Sequence, residues 1–314
     1  YSRAYGGFAG VYAYSRLIRS GLLHLVPANP WSFLRPFGGL AFLASFLFWG
    51  LILGKPPALQ RTKCYIGLVL SAALSIYVLF TRMGRLGFLV YLATFPLSRI
   101  LSKGPVMPRS LPRIALVALV SAGLLTISDD ILGTGKGVPD PIAFFAKELS
   151  FPLRAFQAVL QNMEIRYMKD IVAIPLSFLP ERLWPHGYAT ASQIITERIA
   201  GLPRGVGGVT EGIPTDIVTF SFMQLGVAGV LIVGVAWGWC LKRLDTWIRG
   251  LPLNREVVSV IYANTLLQFV VLTALYADHH HIVSRCLYLL VGISFLLVLL
   301  RVFGKQSGWS KTAG

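Results

Sequence analysis

The chain of 314 residues is 55% hydrophobic and 13% charged, with a mean hydropathy of +0.66 and a formal charge of +16. Soluble domains carry roughly a quarter of their residues as Asp, Glu, Lys and Arg, so this composition excludes a soluble globular protein and describes one with several membrane spans. The positive charge does not indicate nucleic acid, because the basic residues are spread between apolar runs and are not gathered with aromatics on one polar domain.

The sequence begins at Tyr1 without Met or a signal-peptide pattern, which predicts residues upstream and makes any span count a minimum. Residues 1–36 mix aromatics, glycines and arginines around a Pro27-Ala28-Asn29-Pro30 break, and fit either a loop with an interfacial helix or the remnant of a span. Apolar runs follow at about 37–54, 64–80, 86–101, 114–128, 217–241, 257–277 and 282–303, each bounded by charges or Pro. The expected fold is therefore all-α, a polytopic helix bundle of at least seven spans. Cys64, Cys240 and Cys286 lie in or at the ends of these runs, with no CxxC pair and no His at ligand spacing, which predicts buried, inert thiols and no metal or cofactor.

Short cytoplasmic loops retain Lys and Arg, so the loops can be sorted by charge. Loops 55–63, 99–113 and 242–256 and the tail are basic and fall on one side if all seven runs span. The other side receives the turn 81–85, the long loop 129–214 and the short loop 278–281. That long loop holds nine of the chain's thirteen acids against eight bases, so the chain divides into membrane helices (1–128), a balanced external loop domain (129–214), and membrane helices with a cytoplasmic tail (215–314). Within the loop domain, Asp140-Pro141 reads as an N-cap with Pro at the first helical position. It opens a helix to Leu149, and after a break at Pro152 a second runs to about Met168. Phe144, Phe145, Leu149, Phe151, Phe156, Val159 and Leu160 give these pieces an apolar face for the bilayer or the bundle. A further helix is predicted from Thr190 to Ala200.

Three external clusters could carry chemistry. Thr81-Arg82-Met83-Gly84-Arg85 puts two arginines where the charge rule expects few; they either bind a phosphate or pyrophosphate bidentately or snorkel to head groups. The stretch 201–216 has five glycines and two prolines, so it is irregular backbone, and it carries Arg204, Glu211 and Asp216. Its amides could form an anion nest, Glu211 could serve as a functional carboxylate, and Asp216 could cap the next helix or act in catalysis. The third cluster is Asp278-His279-His280-His281 with Arg285. Adjacent histidines cannot all face one metal, which leaves His281 as a general base or phosphate donor, or a solvated loop. Arg154 and Arg166 lie on the loop helices, where a solvated face competes with substrate contact. Gly133 to Gly137 lacks the spacing of a P-loop. Arginines at the mouth of an apolar bundle suit an anionic lipid-linked substrate such as a polyprenyl pyrophosphate.

Over roughly 64–303 the chain resembles the O-antigen polymerase (Wzy-type) and O-antigen ligase superfamily of bacterial glycosyltransferases. The features that carry the resemblance are the arginine-bearing turn from Thr81 to Leu89, one large loop late in the chain, and the exit Glu211-Gly-Ile-Pro-Thr-Asp216 leading into Phe222-Met-Gln-Leu-Gly226-Val-Ala-Gly229. Where the ligase branch commonly has His-Asn, this chain has Thr215 and Asp216, which favours the polymerase branch. The resemblance implies a bacterial inner-membrane location with the large loop in the periplasm. It also implies transfer, without metal, of a glycan from undecaprenyl pyrophosphate to the terminal sugar of another lipid-linked repeat unit. Arg82, Arg85, Arg154, Arg166, Arg204 and Arg285 would hold pyrophosphate and glycan, with Glu211, His281 and Asp216 as catalytic candidates. Membrane lipids and a chain-length regulator are the expected partners, and nucleic acid is not. The alternatives are a ligase of the same superfamily, a flippase of lipid-linked oligosaccharides, or an assembly partner of polysaccharide machinery.

Overall fold

The computed structural model describes the chain except residues 21, 23–24, 83–84, 104–111, 113–140, 163, 176–187, 208, 210–211, 279–288 and 299–314. The described residues contain helices and no strand. In chain order the helices longer than eight residues are α1 (Phe8–Ser20), α2 (Leu40–Leu53), α3 (Ala58–Arg82), α4 (Arg85–Leu101), α5 (Pro141–Gln161), α6 (Ala191–Ala200), α7 (Ile217–Arg249), α8 (Arg255–Leu275) and α9 (Leu289–Val298), with shorter helical turns at Ser2–Tyr5, Ser32–Gly39 and Lys169–Val172. By length and composition α3, α7 and α8 can each cross a membrane, while α2, α4 and α9 are shorter apolar helices. The run expected at 114–128 lies outside the described residues.

Helix α2, Leu-Ala-Phe-Leu-Ala-Ser-Phe-Leu-Phe-Trp-Gly-Leu-Ile-Leu, has no polar face, and such a helix belongs inside a bundle. It packs between α3 and α8. Gly50 permits this, because a Cβ there would sit 2.9 Å from the Val257 Cα. Phe42, Phe46 and Phe95 surround the Tyr91 ring, whose hydroxyl donates to Ser45 at 3.0 Å, so the one polar tip in that core is satisfied. The outer sides of α3 and α7 expose Ile66, Val69, Leu70, Leu231 and Val235, as lipid-facing surface requires.

The helix ends gather at two poles. Gly50 of α2 meets Val257 at the start of α8, and Trp49 Nε1 donates to Ser98 near the end of α4. These contacts place loop 54–57, the end of α4 and the α7–α8 turn together, and with them Lys55, Arg99, Lys103, Arg249 and Arg255. Each of α3, α7 and α8 has its other end at the opposite pole, so the Arg82 turn, Asp216 and Tyr276 share that pole.

Three elements differ from expectation. Helix α5 runs unbroken through Pro152, because proline removes a single i→i−4 bond while Ala155, Val159 and Phe156 anchor the following turns against α6 and α7. The inner segment of α8, Leu266–Leu272, is π-helical, with Gln268 and Thr273 buried. Cys64 is buried as expected, but Cys240 is exposed on the outer face of α7.

Candidate functional site

Asp216 opens α7. Its Oδ1 accepts from the amides of Val218 and Thr219 at 2.9 and 3.1 Å, and its Oδ2 from the Thr219 hydroxyl. The helix then breaks after eight residues. Leu225 has φ −146° and ψ 24°, and Gly226 has φ 64° and ψ −145°, a conformation that essentially only glycine adopts. Three residues on, the backbone doubles back so tightly that a Cβ on Gly229 would lie 2.1 Å from the Ser221 carbonyl oxygen. The Leu-Gly-x-x-Gly run is therefore a hinge between a short arm, 217–224, and a long apolar arm, 227–249. At a break of this kind the last carbonyls of the first arm lose their helical donors. The amide of Arg166 fills the one on Met223, at 2.7 Å.

The same Arg166 centres a buried ionic cluster. Its Nε and Nη2 donate to the two carboxylate oxygens of Asp170, at 2.5 and 2.9 Å, and Nη2 also donates to the Ala189 carbonyl at 2.7 Å. The Tyr188 hydroxyl and the Gln224 amide complete the ring around Asp170, at 3.0 and 2.7 Å. Tyr167 and Met168 hold positive φ, and that tight turn brings the arginine and the aspartate face to face. Asp170 is 0% exposed and Arg166 6%. Burial works against the charge on Arg166, but the hydrogen bonds and charge of Asp170 outweigh it and raise the guanidinium's pKa. Burial, and then the charge of Asp170, push the Tyr188 phenol up, so it stays protonated and donating.

Further ties close this end of the molecule. Thr190 caps α6 in a reciprocal box with Gln193, placing the helix where the sequence predicts it. Asp278, beyond α8, accepts from the Ser192 hydroxyl at 2.8 Å and the Ser192 amide at 3.3 Å, so a second carboxylate serves the same helix start. The Ala277 amide donates to the Thr215 carbonyl at 2.7 Å. The start of α6, the start of α7 and the end of α8 thus meet. The Thr215 hydroxyl oxygen and Gln224 Oε1 are buried there without a hydrogen-bond partner among the described residues.

Of the residues singled out in the sequence, Arg166, Asp216 and Asp278 belong to this junction. Arg204 is exposed and packs on Gly212, where a Cβ would sit 3.6 Å from its Cδ. Arg154 is exposed on α5, and Arg85 opens α4. Arg82 donates to the Arg35 carbonyl at 3.2 Å and lies over the Phe42 ring, 5.5 Å from its centroid. Glu211, His281 and Arg285 lie outside the described residues. Arg166 falls after the end of α5, where the sequence expects a helix. Asp170, Tyr188 and Gln224 were not singled out; the Arg-x-x-x-Asp spacing and a lone Gln in an apolar run are the signals that mark two of them. No protein-family model, curated protein or solved structure matches the chain.

Proposed function

We propose that the protein is a Wzy-type polymerase of lipid-linked glycan repeat units, a seven-span protein of the bacterial inner membrane with its large loop in the periplasm. One observation carries the reading. Among the described residues every buried charged side chain (Arg166, Asp170, Asp216 and Asp278) lies at the loop end of the bundle. The buried polar residues farther along the helices are neutral Ser, Thr, Asn and Gln. A flippase needs charge-bearing groups along a central path for its anionic cargo, whereas an enzyme acting on a lipid-linked pyrophosphate needs them at the mouth.

In this reading Arg82, Arg85, Arg154, Arg204 and Arg285 stabilise negative charge developing on the leaving pyrophosphate, while Arg166, expected from the sequence to join them, is instead committed to Asp170 and holds the junction together. Asp216 already accepts three hydrogen bonds as the cap of α7, so proton abstraction from the acceptor hydroxyl falls to Glu211 or His281. Replacing Arg82 by alanine is expected to abolish long polymer while the protein still accumulates in the membrane. Gel analysis of surface polysaccharide alongside immunoblotting reads both. Normal polymer length in that variant would remove Arg82 from the site and the reading with it.

A further inference from the structure

The lipid-facing surfaces of α3 and α7 end in the same arrangement. On α3 the exposed aliphatic residues Ile66, Val69 and Leu70 give way, towards loop 54–57, to the ring of Tyr65 and then to Arg61. The Arg61 guanidinium lies 5.7 Å from that ring centroid and donates to the Tyr65 hydroxyl at 3.4 Å. On α7 Leu231 and Val235 give way to Trp239 and then to Arg243, whose guanidinium lies 5.3 Å from the indole centroid. The two helices run in opposite directions, so the arginine precedes its ring on α3 and follows it on α7. In both, the ring lies about one turn inward and the arginine one turn outward. Tyr65 and Trp239 are 42% and 59% exposed, and amphipathic rings take that place at a membrane–water boundary.

Charge at this pole is one-sided. Arg61, Lys63, Lys242 and Arg243 join the five bases at loop 54–57, the end of α4 and the α7–α8 turn, and all nine are exposed; the described acids there are Asp245 and Glu256. Asp245 is engaged by Arg249 at 2.9 Å. Neither Arg61 nor Arg243 has a carboxylate partner among the described residues, and a guanidinium carries five donors, so both keep donors for an anion. Lys55 holds φ 53°, a left-handed conformation that lysine rarely adopts. A charge is thus kept in a turn where backbone preference would put glycine.

We propose that this pole is a binding surface for anionic phospholipid head groups, with Arg61–Tyr65 and Arg243–Trp239 as its anchoring pairs. Each ring seats at the boundary, and the arginine one turn above it donates bidentately to a lipid phosphate, which lysine does less well. The surrounding bases attract the anionic surface at longer range. An acidic protein would match the charge but would leave the rings, one turn below the arginines, without a role. The surface does not depend on the reaction proposed above.

The test is native mass spectrometry of the full chain in detergent, titrated with phosphatidylglycerol and with phosphatidylcholine of the same acyl chains. Phosphatidylglycerol is expected to bind more tightly. Arg61→Gln combined with Arg243→Gln should weaken it ~25-fold, since each base near an anionic surface contributes a factor of ~5. Removing two exposed charges from the opposite pole, by Arg3→Gln with Lys169→Gln, should change it less than ~2-fold, because they lie beyond the screening length. The lipid-free melting temperature of the Arg61 and Arg243 variant should match wild type, because both side chains are exposed. Tyr65→Leu with Trp239→Leu keeps every charge and should still weaken phosphatidylglycerol. Equal affinity for the two lipids, or equal losses in the two charge variants, overturns the proposal. Polyglutamate bound as tightly as phosphatidylglycerol, and unaffected by the two leucine substitutions, would assign the surface to an acidic protein and overturn it as well.

Discussion

Replacing Asp170 by alanine is expected to destabilise the loop end of the bundle by about 3–5 kcal/mol, the cost of stranding one partner of a buried ion pair. Arg166 is 6% exposed and would keep its charge, because the Ala189 carbonyl cannot replace a carboxylate. The Tyr188 hydroxyl and the Gln224 amide would lose their acceptor in the same stroke. Since Gln224 ends the short arm of α7 and the Arg166 amide holds the Met223 carbonyl, the damage should spread to the hinge and to the packing of Phe220 and Met223 on Val159 and Ile195. Limited proteolysis of the loop domain and thermal unfolding in detergent measure it. The double variant Arg166→Met with Asp170→Leu should recover only part of the loss, because it removes the stranded charge and fills the volume but leaves the Tyr188 hydroxyl, the Gln224 amide and the Ala189 carbonyl without their partners. Stability of Asp170→Ala within about 1 kcal/mol of wild type would mean that water reaches the pair.

The second large effect is expected at Gly229. An alanine Cβ there would meet the Ser221 carbonyl oxygen at 2.1 Å, and backbone on both sides cannot rotate away as a side chain would. The arms of α7 must then open, at a cost of about 1–3 kcal/mol or more. Opening them pulls Met223 from Arg166 and Thr215 from Ala277, the two backbone bonds that seat the short arm. Gly226→Ala should act in the same direction by forcing a side chain into a backbone conformation that essentially only glycine adopts, at about 1–3 kcal/mol. Gly234 and Gly238 on the long arm supply the control. A Cβ at either meets nothing within 4 Å, so alanine there should leave stability unchanged or slightly improved. Equal effects at all four glycines would show that helix propensity alone decides, and that the hinge does not matter.

Much of the helical frame is legible in the sequence because its signals are local. Apolar runs between charges locate α2, α3, α4, α7 and α8, and side-chain oxygens just ahead of a helix mark Thr190 and Asp216 as caps. What depends on tertiary contact is not. Gly226 looks like any glycine in an apolar run, and glycine is common in membrane helices, so the break after Gln224 is invisible until Gly229 is seen against Ser221. Pro152 carries the opposite lesson: its local signal says stop, and burial of Ala155 and Val159 overrides it. The four-residue spacing of Arg166 and Asp170 suggests a pair but not its burial, which follows from the positive-φ turn at Tyr167 and Met168 and from Tyr188 and Gln224 closing over the carboxylate. Arg35 is illegible as a partner of Arg82, since 47 residues separate them and no motif joins them.

The Gly201–Asp216 stretch illustrates both sides. Its glycines correctly predict irregular backbone, with Gly201, Gly205 and Gly207 all at positive φ. The amides of Val218 and Thr219 at the start of α7, which an anion nest would have used, already serve the Asp216 carboxylate. That moves the proposed phosphate contact away from this junction and towards the arginines at the end of α3.

The central claim is that this chain joins lipid-linked repeat units by itself. The most direct measurement incubates the purified protein, in nanodiscs and without ATP or other proteins, with undecaprenyl-pyrophosphate-linked repeat units and resolves the products by size. The proposed function predicts a ladder of polymer with release of undecaprenyl pyrophosphate, and no ladder from the Arg82→Ala protein. Unchanged monomeric repeat units with the wild-type protein, under conditions where those units bind it, would contradict the claim.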